Sequence, residues 1–110
     1  MAITQSALAH AMAHDVVRVA PPETGIKRIW VWSQHGYVDP KRDYVELTVM
    51  HGPLDDETLH RFLTAVADMT DERYPEVNKL MHTFSSDEVA ELDLQGEVRP
   101  GAEEIELVNE

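Results

Sequence analysis

Ile26-Lys27-Arg28-Ile29-Trp30-Val31-Trp32-Ser33 and, ten residues later, Tyr44-Val45-Glu46-Leu47-Thr48-Val49-Met50-His51 are the two stretches that decide the fold. The first is dense in β-branched and aromatic residues and contains no breaker, so it reads as a strand. Side chains alternate along a strand, which puts Ile29 and Val31 on one face and Arg28, Trp30 and Trp32 on the other. The second stretch alternates in the same way, with Val45, Leu47 and Val49 on one side. The connection between them holds a glycine and an Asp39-Pro40 turn signal and is too short for a crossover helix. The pair is therefore expected to be antiparallel.

On the C-terminal side, Gly52-Pro53 punctuates and Leu54-Asp55-Asp56-Glu57-Thr58 reads as a helix start. Asp55 is a natural N-cap, and Asp56 and Glu57 complement the positive end of the helix dipole. Leu59, Phe62, Leu63, Val66 and Met69 then recur at helical spacing and predict an amphipathic helix lying across one face of the sheet. Tyr74-Pro75 marks a turn, and residues 77–84 read as the next strand. Ser85 with Glu88 fits a capping box, favouring a short helix to Leu92, while Ala90, Leu92 and Leu94 alternate as a strand would. Arg99-Pro100-Gly101 is a turn, and residues 105–108 read as a last strand or an ordered tail.

On the N-terminal side, residues 4–14 are rich in alanine and predict a helix. Its apolar stripe of Ile3, Leu8, Ala11 and Met12 is thin, so residues 1–20 read as a mobile N-terminal helix, and a frayed tail or a partner-docking helix fits the segment equally. Val16-Val17-Arg18-Val19 fits a short edge strand, and Pro21-Pro22-Glu23-Thr24-Gly25 breaks the chain. The fold class expected is α+β in one domain over residues 1–110: a small antiparallel sheet of about four strands with one main helix on one face plus an N-terminal helix. A ferredoxin-like or similar open-faced sandwich is the leading picture.

The 110 residues carry 21 acidic and 9 basic side chains, a net charge of −12, with pI near 4.7. Residues 86–110 hold nine carboxylates against Arg99 alone, a net of −8. Such a field repels phosphate backbones and anionic lipid headgroups, which argues against nucleic-acid and membrane partners. Cysteine is absent, so thiol catalysis, disulfides and thiolate metal centres are excluded. No apolar run reaches the length of a membrane span, and the first residues lack the pattern of a signal peptide, so a cytoplasmic setting is expected.

Motifs for chemistry are scarce. The five glycines form neither a phosphate loop nor a dinucleotide fingerprint, and no serine sits in a nucleophile elbow. No cofactor is expected, and the reading leans away from an enzyme. Six histidines are scattered. His10 and His14 at i, i+4 are weak metal candidates, because two helical ligands alone do not specify a metal. His51, His60 and His82 could line a pocket between sheet and helix. This is the alternative reading: a small dimeric ligand-binding protein or enzyme. The residues hardest to set aside are Trp30 and Trp32, together with Arg28 and Tyr44. Two indoles on the face away from the helix make either an interaction surface or a second small core covered by a terminal segment. The expectation preferred here is a non-catalytic protein–protein interaction or regulatory module, engaging a protein partner or a second copy of itself.

Overall fold

A computed structural model describes residues 5–89 and 93–107. Helix α1 (Gln5–Val19) and a 3-10 turn (Pro22–Thr24) lead into strands β1 (Ile26–His35) and β2 (Asp43–His51). Helix α2 (Asp56–Arg73), strand β3 (Asn78–Ser85), a single turn α3 (Leu94–Glu97) and the short strand β4 (Glu103–Ile105) follow. This is an α+β fold with its two long helices packed on a four-stranded sheet of order β3-β2-β1-β4.

β1 pairs antiparallel with β2 and with β4, as the alternation and the short connection require. The expectation of a wholly antiparallel sheet is corrected at β3, which runs parallel to β2. The reason is α2: its 18 residues carry the chain back along the sheet, so β2, α2 and β3 form a parallel crossover unit. The element order also differs from the βαββαβ order of a ferredoxin-like fold, leaving the open-faced sandwich as the description that fits.

The core is built on one sheet face. Ile29, Val31, Val45, Leu47 and Val49 meet Ala9, Met12, Ala13 and Val16 of α1 and Phe62, Val66 and Met69 of α2. Burial of each large apolar side chain there contributes about 1.5–3 kcal/mol. Asp55 caps α2 as its sequence position implies, accepting from the Thr58 amide at 2.7 Å. Leu63, read as part of the buried stripe, is exposed instead; Leu59 takes a half-buried place at the core margin.

α1 differs most from expectation. Its buried stripe is Ala9, Met12, Ala13 and Val16, whereas Ala11 is exposed and Ile3 lies outside the described residues. The run Val16–Val19 continues the helix and forms no strand, because Val16 is fully buried in the core cluster. Tertiary burial outweighs the small helix penalty of β-branched residues. A polar knot ties α1 to the end of α2. Asp15 accepts from the Tyr74 hydroxyl at 2.5 Å, from Arg18 at 2.6 Å and from Arg73 at 3.1 Å. Burial alone would raise the Asp15 pKa, but these three donors together hold it below its ordinary value of 3.8. Burial, reinforced by Asp15, pushes the Tyr74 phenol up to about 12.

After β3 the chain makes a turn closed by the Glu88 amide on the Ser85 carbonyl. The capping-box pattern thus yields a turn over the described residues, and residues 90–92 lie outside them. β4 comprises Glu103–Ile105, two residues earlier than expected, and Val108 is not among the described residues.

Candidate binding face

The sheet face opposite the helices carries a different chemistry. β1 places Arg28, Trp30 and Trp32 there, β2 places Tyr44, Glu46 and Thr48, and β3 places Leu80, His82 and Phe84. Trp30, only 7% exposed, stacks on Phe84 with centroids 6.4 Å apart. The Arg28 guanidinium lies 4.6 Å above the Trp30 ring and forms a two-pronged ion pair with Glu104 of β4. That bond holds the Glu104 carboxyl below its ordinary value. Trp30 is therefore roofed, while Trp32 is half-buried.

Trp32, Tyr37 and Tyr44 form a three-ring cluster. Trp32 meets Tyr37 edge-on at 5.1 Å and Tyr44 at 5.9 Å, and the two tyrosines lie 5.0 Å apart. Local sequence explains the cluster. Trp32 pairs with Glu46 in the β1–β2 register, and Tyr44 precedes Glu46 by two residues on the same face. Gly36, at φ 77°, turns the chain out of β1 where a side chain would be strained, and the loop closes through Gly36 N to Arg42 O at 2.9 Å. Tyr37 follows directly.

Arg99 enters this cluster from the far end of the sequence. Its Cζ sits 4.0 Å from the Trp32 ring and 5.2 Å from the Tyr37 ring, and its Nε donates to Glu46. The bonds to Glu46 and Tyr37 raise the Arg99 pKa further above its already high ordinary value. Burial, then the Glu46 charge, raises that of Tyr44. Sequence reasoning named Trp32 and Tyr44 but missed Tyr37, Glu46 and Arg99. Arg99 and Glu46 are 53 residues apart, so no local pattern links them.

Beside the cluster runs an open groove of about 550 Å³ between β2–β3 and the segment Gly96–Pro100. Glu46, Leu80, His82, Glu97 and Arg99 line it, and His82 Nε2 lies 2.6 Å from Glu97. The C-terminal acidic segment thus folds back onto cationic or titratable partners: Glu97 with His82, Glu103 with His10, Glu104 with Arg28.

The three histidines considered for one pocket are not brought together. His51 is buried, its ring Nδ1 2.6 Å from the Gly52 carbonyl. His60 is exposed on α2. His82 pairs in register with Thr48, three positions from His51, and is on the opposite side of the sheet from Val49 and His51 by strand alternation. On α1, His10 faces Glu103 at 3.0 Å and His14 is exposed. Asp15, the carboxylate next to His14 in sequence, is taken by the polar knot. Among the described residues no group of three or more His, Cys, Asp or Glu side chains is placed to hold a metal ion, and no helix is long and apolar enough to cross a membrane.

Compared with known protein families, with curated proteins and with solved structures, the chain shows no match.

Proposed function

We propose that this chain is a non-catalytic protein-interaction module that takes an extended, basic segment of a partner along the outer edge of β3. The observation that carries the reading is that edge. β3 is eight residues long, ends the sheet, and among the described residues has no strand on its outer side. The Ser86 amide donates to the His51 carbonyl at 2.8 Å, which fixes which β3 residues turn their backbone inward. By alternation, Lys79, Met81 and Thr83 direct their N–H and C=O groups outward.

An unpaired edge of this length is a template for strand addition, in which main-chain bonds give affinity and side-chain pockets give specificity. Leu80, 52% exposed, and the adjoining groove supply such a pocket. The net charge of −12 favours a basic partner and disfavours a second copy of the same chain.

The alternative of a small-ligand site finds its support elsewhere than at His51, His60 and His82. A second groove, of about 660 Å³, is lined by His35, Lys41, Arg42 and Arg73 together with Asp43 and Glu76, beside Leu8 and Val77. His35 is paired there with Asp43, Arg42 with Asp39 and Arg73 with Asp15, so a ligand would meet both signs of charge around an apolar floor.

The edge reading is tested with Lys79→Pro and Thr83→Pro. Each removes an outward donor and leaves the β2–β3 ladder intact. A partner isolated with the untagged chain, identified by native mass spectrometry, should be lost from both variants. In hydrogen exchange, the amides of Lys79, Met81 and Thr83 should become protected when it binds. Equal retention by both variants, with no change in those amides, would refute edge addition.

A further inference from the structure

We infer that Trp32, Tyr37, Tyr44 and Glu46 form a guanidinium-binding niche for an arginine side chain of the partner, and that Arg99 fills it as an internal stand-in. The inference names the partner's chemistry for the interaction reading above and rests on that reading only in taking the arginine to belong to a protein.

The site has the parts that cation recognition needs. Trp presents the strongest cation-binding ring face, and attraction is appreciable within about 6 Å of the centroid. A guanidinium is already seated 4.0 Å from that ring. Glu46, whose side chain is 13% exposed, supplies the opposing carboxylate, and the Tyr37 hydroxyl accepts from Arg99 Nη2 at 3.3 Å. The occupant is therefore an arginine by observation, and its planar fork suits ring stacking and carboxylate pairing together better than the compact ammonium of lysine.

Niche and occupant belong to separate parts of the chain. Residues 32–46 of the β1–β2 hairpin build the niche, held by a continuous antiparallel register from Arg28↔Met50 to His35↔Asp43. Arg99 rides on a segment that joins no strand until Glu103. It is bounded by Gly96 and by the Pro100-Gly101 turn, closed by Ala102 N on Arg99 O at 3.0 Å. Releasing Arg99 breaks its side-chain contacts and leaves the hairpin ladder whole. The niche also adjoins the groove that leads to β3, since Glu46 and Arg99 line both. The charge of the chain favours the exchange, because an incoming cation meets a field of net −12.

The test opens the niche with Arg99→Ala and titrates in an acetylated Gly-Ser-Arg-Ser-Gly amide, following the two indole N–H resonances by NMR. The variant should bind at least about tenfold tighter than the native chain, in which a tethered guanidinium competes at high effective concentration. The citrulline version of the peptide, neutral but nearly isosteric, should not bind. Adding Trp32→Leu or Glu46→Gln to Arg99→Ala should abolish the gain, with an unchanged Trp30 resonance certifying the fold. Equal affinity of native chain and Arg99→Ala, or equal binding of the citrulline peptide, would overturn the inference. So would tighter binding of a trimethyl-lysine peptide, which needs rings and has no N–H to give to Glu46 or Tyr37. Lys79→Pro should leave this binding unchanged, so the niche and the β3 edge can fail separately.

Discussion

The two faces of one sheet are held by different physics. On the helix side, Ile29, Val31, Val45, Leu47 and Val49 are sealed by α1 and α2, and the bond is apolar burial. On the other side, Trp30 and Trp32 each lie under an arginine, and each arginine is anchored by a carboxylate, Glu104 or Glu46. The first face is closed by about 33 helical residues of fixed shape, counting α1 and α2 together. The second is covered by a short strand and a loop. Hydrophobic burial is non-directional and hard to open locally, whereas cation–π and ion-pair contacts near solvent are individually weak and exchangeable. The helix side makes the fold, and the aromatic side is the one we propose trades contacts.

The comparison can be broken most severely at Phe62, which is fully buried under the sheet. Phe62→Ala should cost about 3–5 kcal/mol of unfolding free energy, read by urea denaturation. A cost below about 1 kcal/mol would mean the helix face is not the stabilising one. Next is the knot on the helix side. Asp15→Asn should cost about 1–3 kcal/mol by weakening three hydrogen bonds at a largely buried carboxylate.

The same knot sets a pH dependence. Because Asp15 titrates below its ordinary 3.8 in the folded chain, its contribution is whole above that value and is lost as pH falls through the folded one. Tyr74 acts in the opposite sense. Its contribution is whole below the ordinary value of 10.0 and disappears as pH rises to about 12. Thermal melts across pH should show both limbs, and Asp15→Asn should remove the Asp15 part of the acid limb and shrink the alkaline one, because Tyr74 is then raised by burial without the carboxylate. Unchanged limbs in that variant would assign them to other groups.

On the aromatic side the stability effects should be smaller. Arg99→Ala should lower the urea midpoint by less than Phe62→Ala does, because the half-buried cation–π contact is lost while Glu46, its side chain 13% exposed, keeps the Tyr44 hydroxyl as a donor. Lys79→Pro should stay within about 0.5 kcal/mol, since no ladder donor is lost. A large destabilisation by Arg99→Ala would mark the aromatic side as a second structural core.

How far the sequence revealed this division follows from the same physics. Strict alternation in β1 and β2 and helical spacing in α2 are short-range signals of burial, so these elements, the Asp55 cap and the outward placement of Trp30 and Trp32 were legible. The direction of β3 had a signal that was passed over: an 18-residue helix between two strands is long enough to be a crossover. The run Val16–Val19 misled because branched residues suit a strand until a sheet is there to bury Val16 in a helix. The niche was half legible. Trp32 and Tyr44 belong to strands with a clear pattern, but Arg99 reaches them across 53 residues of sequence from Glu46's position, and only the folded register makes that pairing. The histidines show the limit most plainly, since strand parity and register, not residue type, keep His51 and His82 apart.

The central claim, that the aromatic side exchanges its cation while the helix side stays shut, is tested most directly by the two indole resonances. When the arginine pentapeptide is added to Arg99→Ala, the Trp32 resonance should shift in a saturable manner and the Trp30 resonance, roofed by Arg28 and Glu104, should stay in place. Movement of both indoles together, or of neither at saturating peptide, would contradict the account.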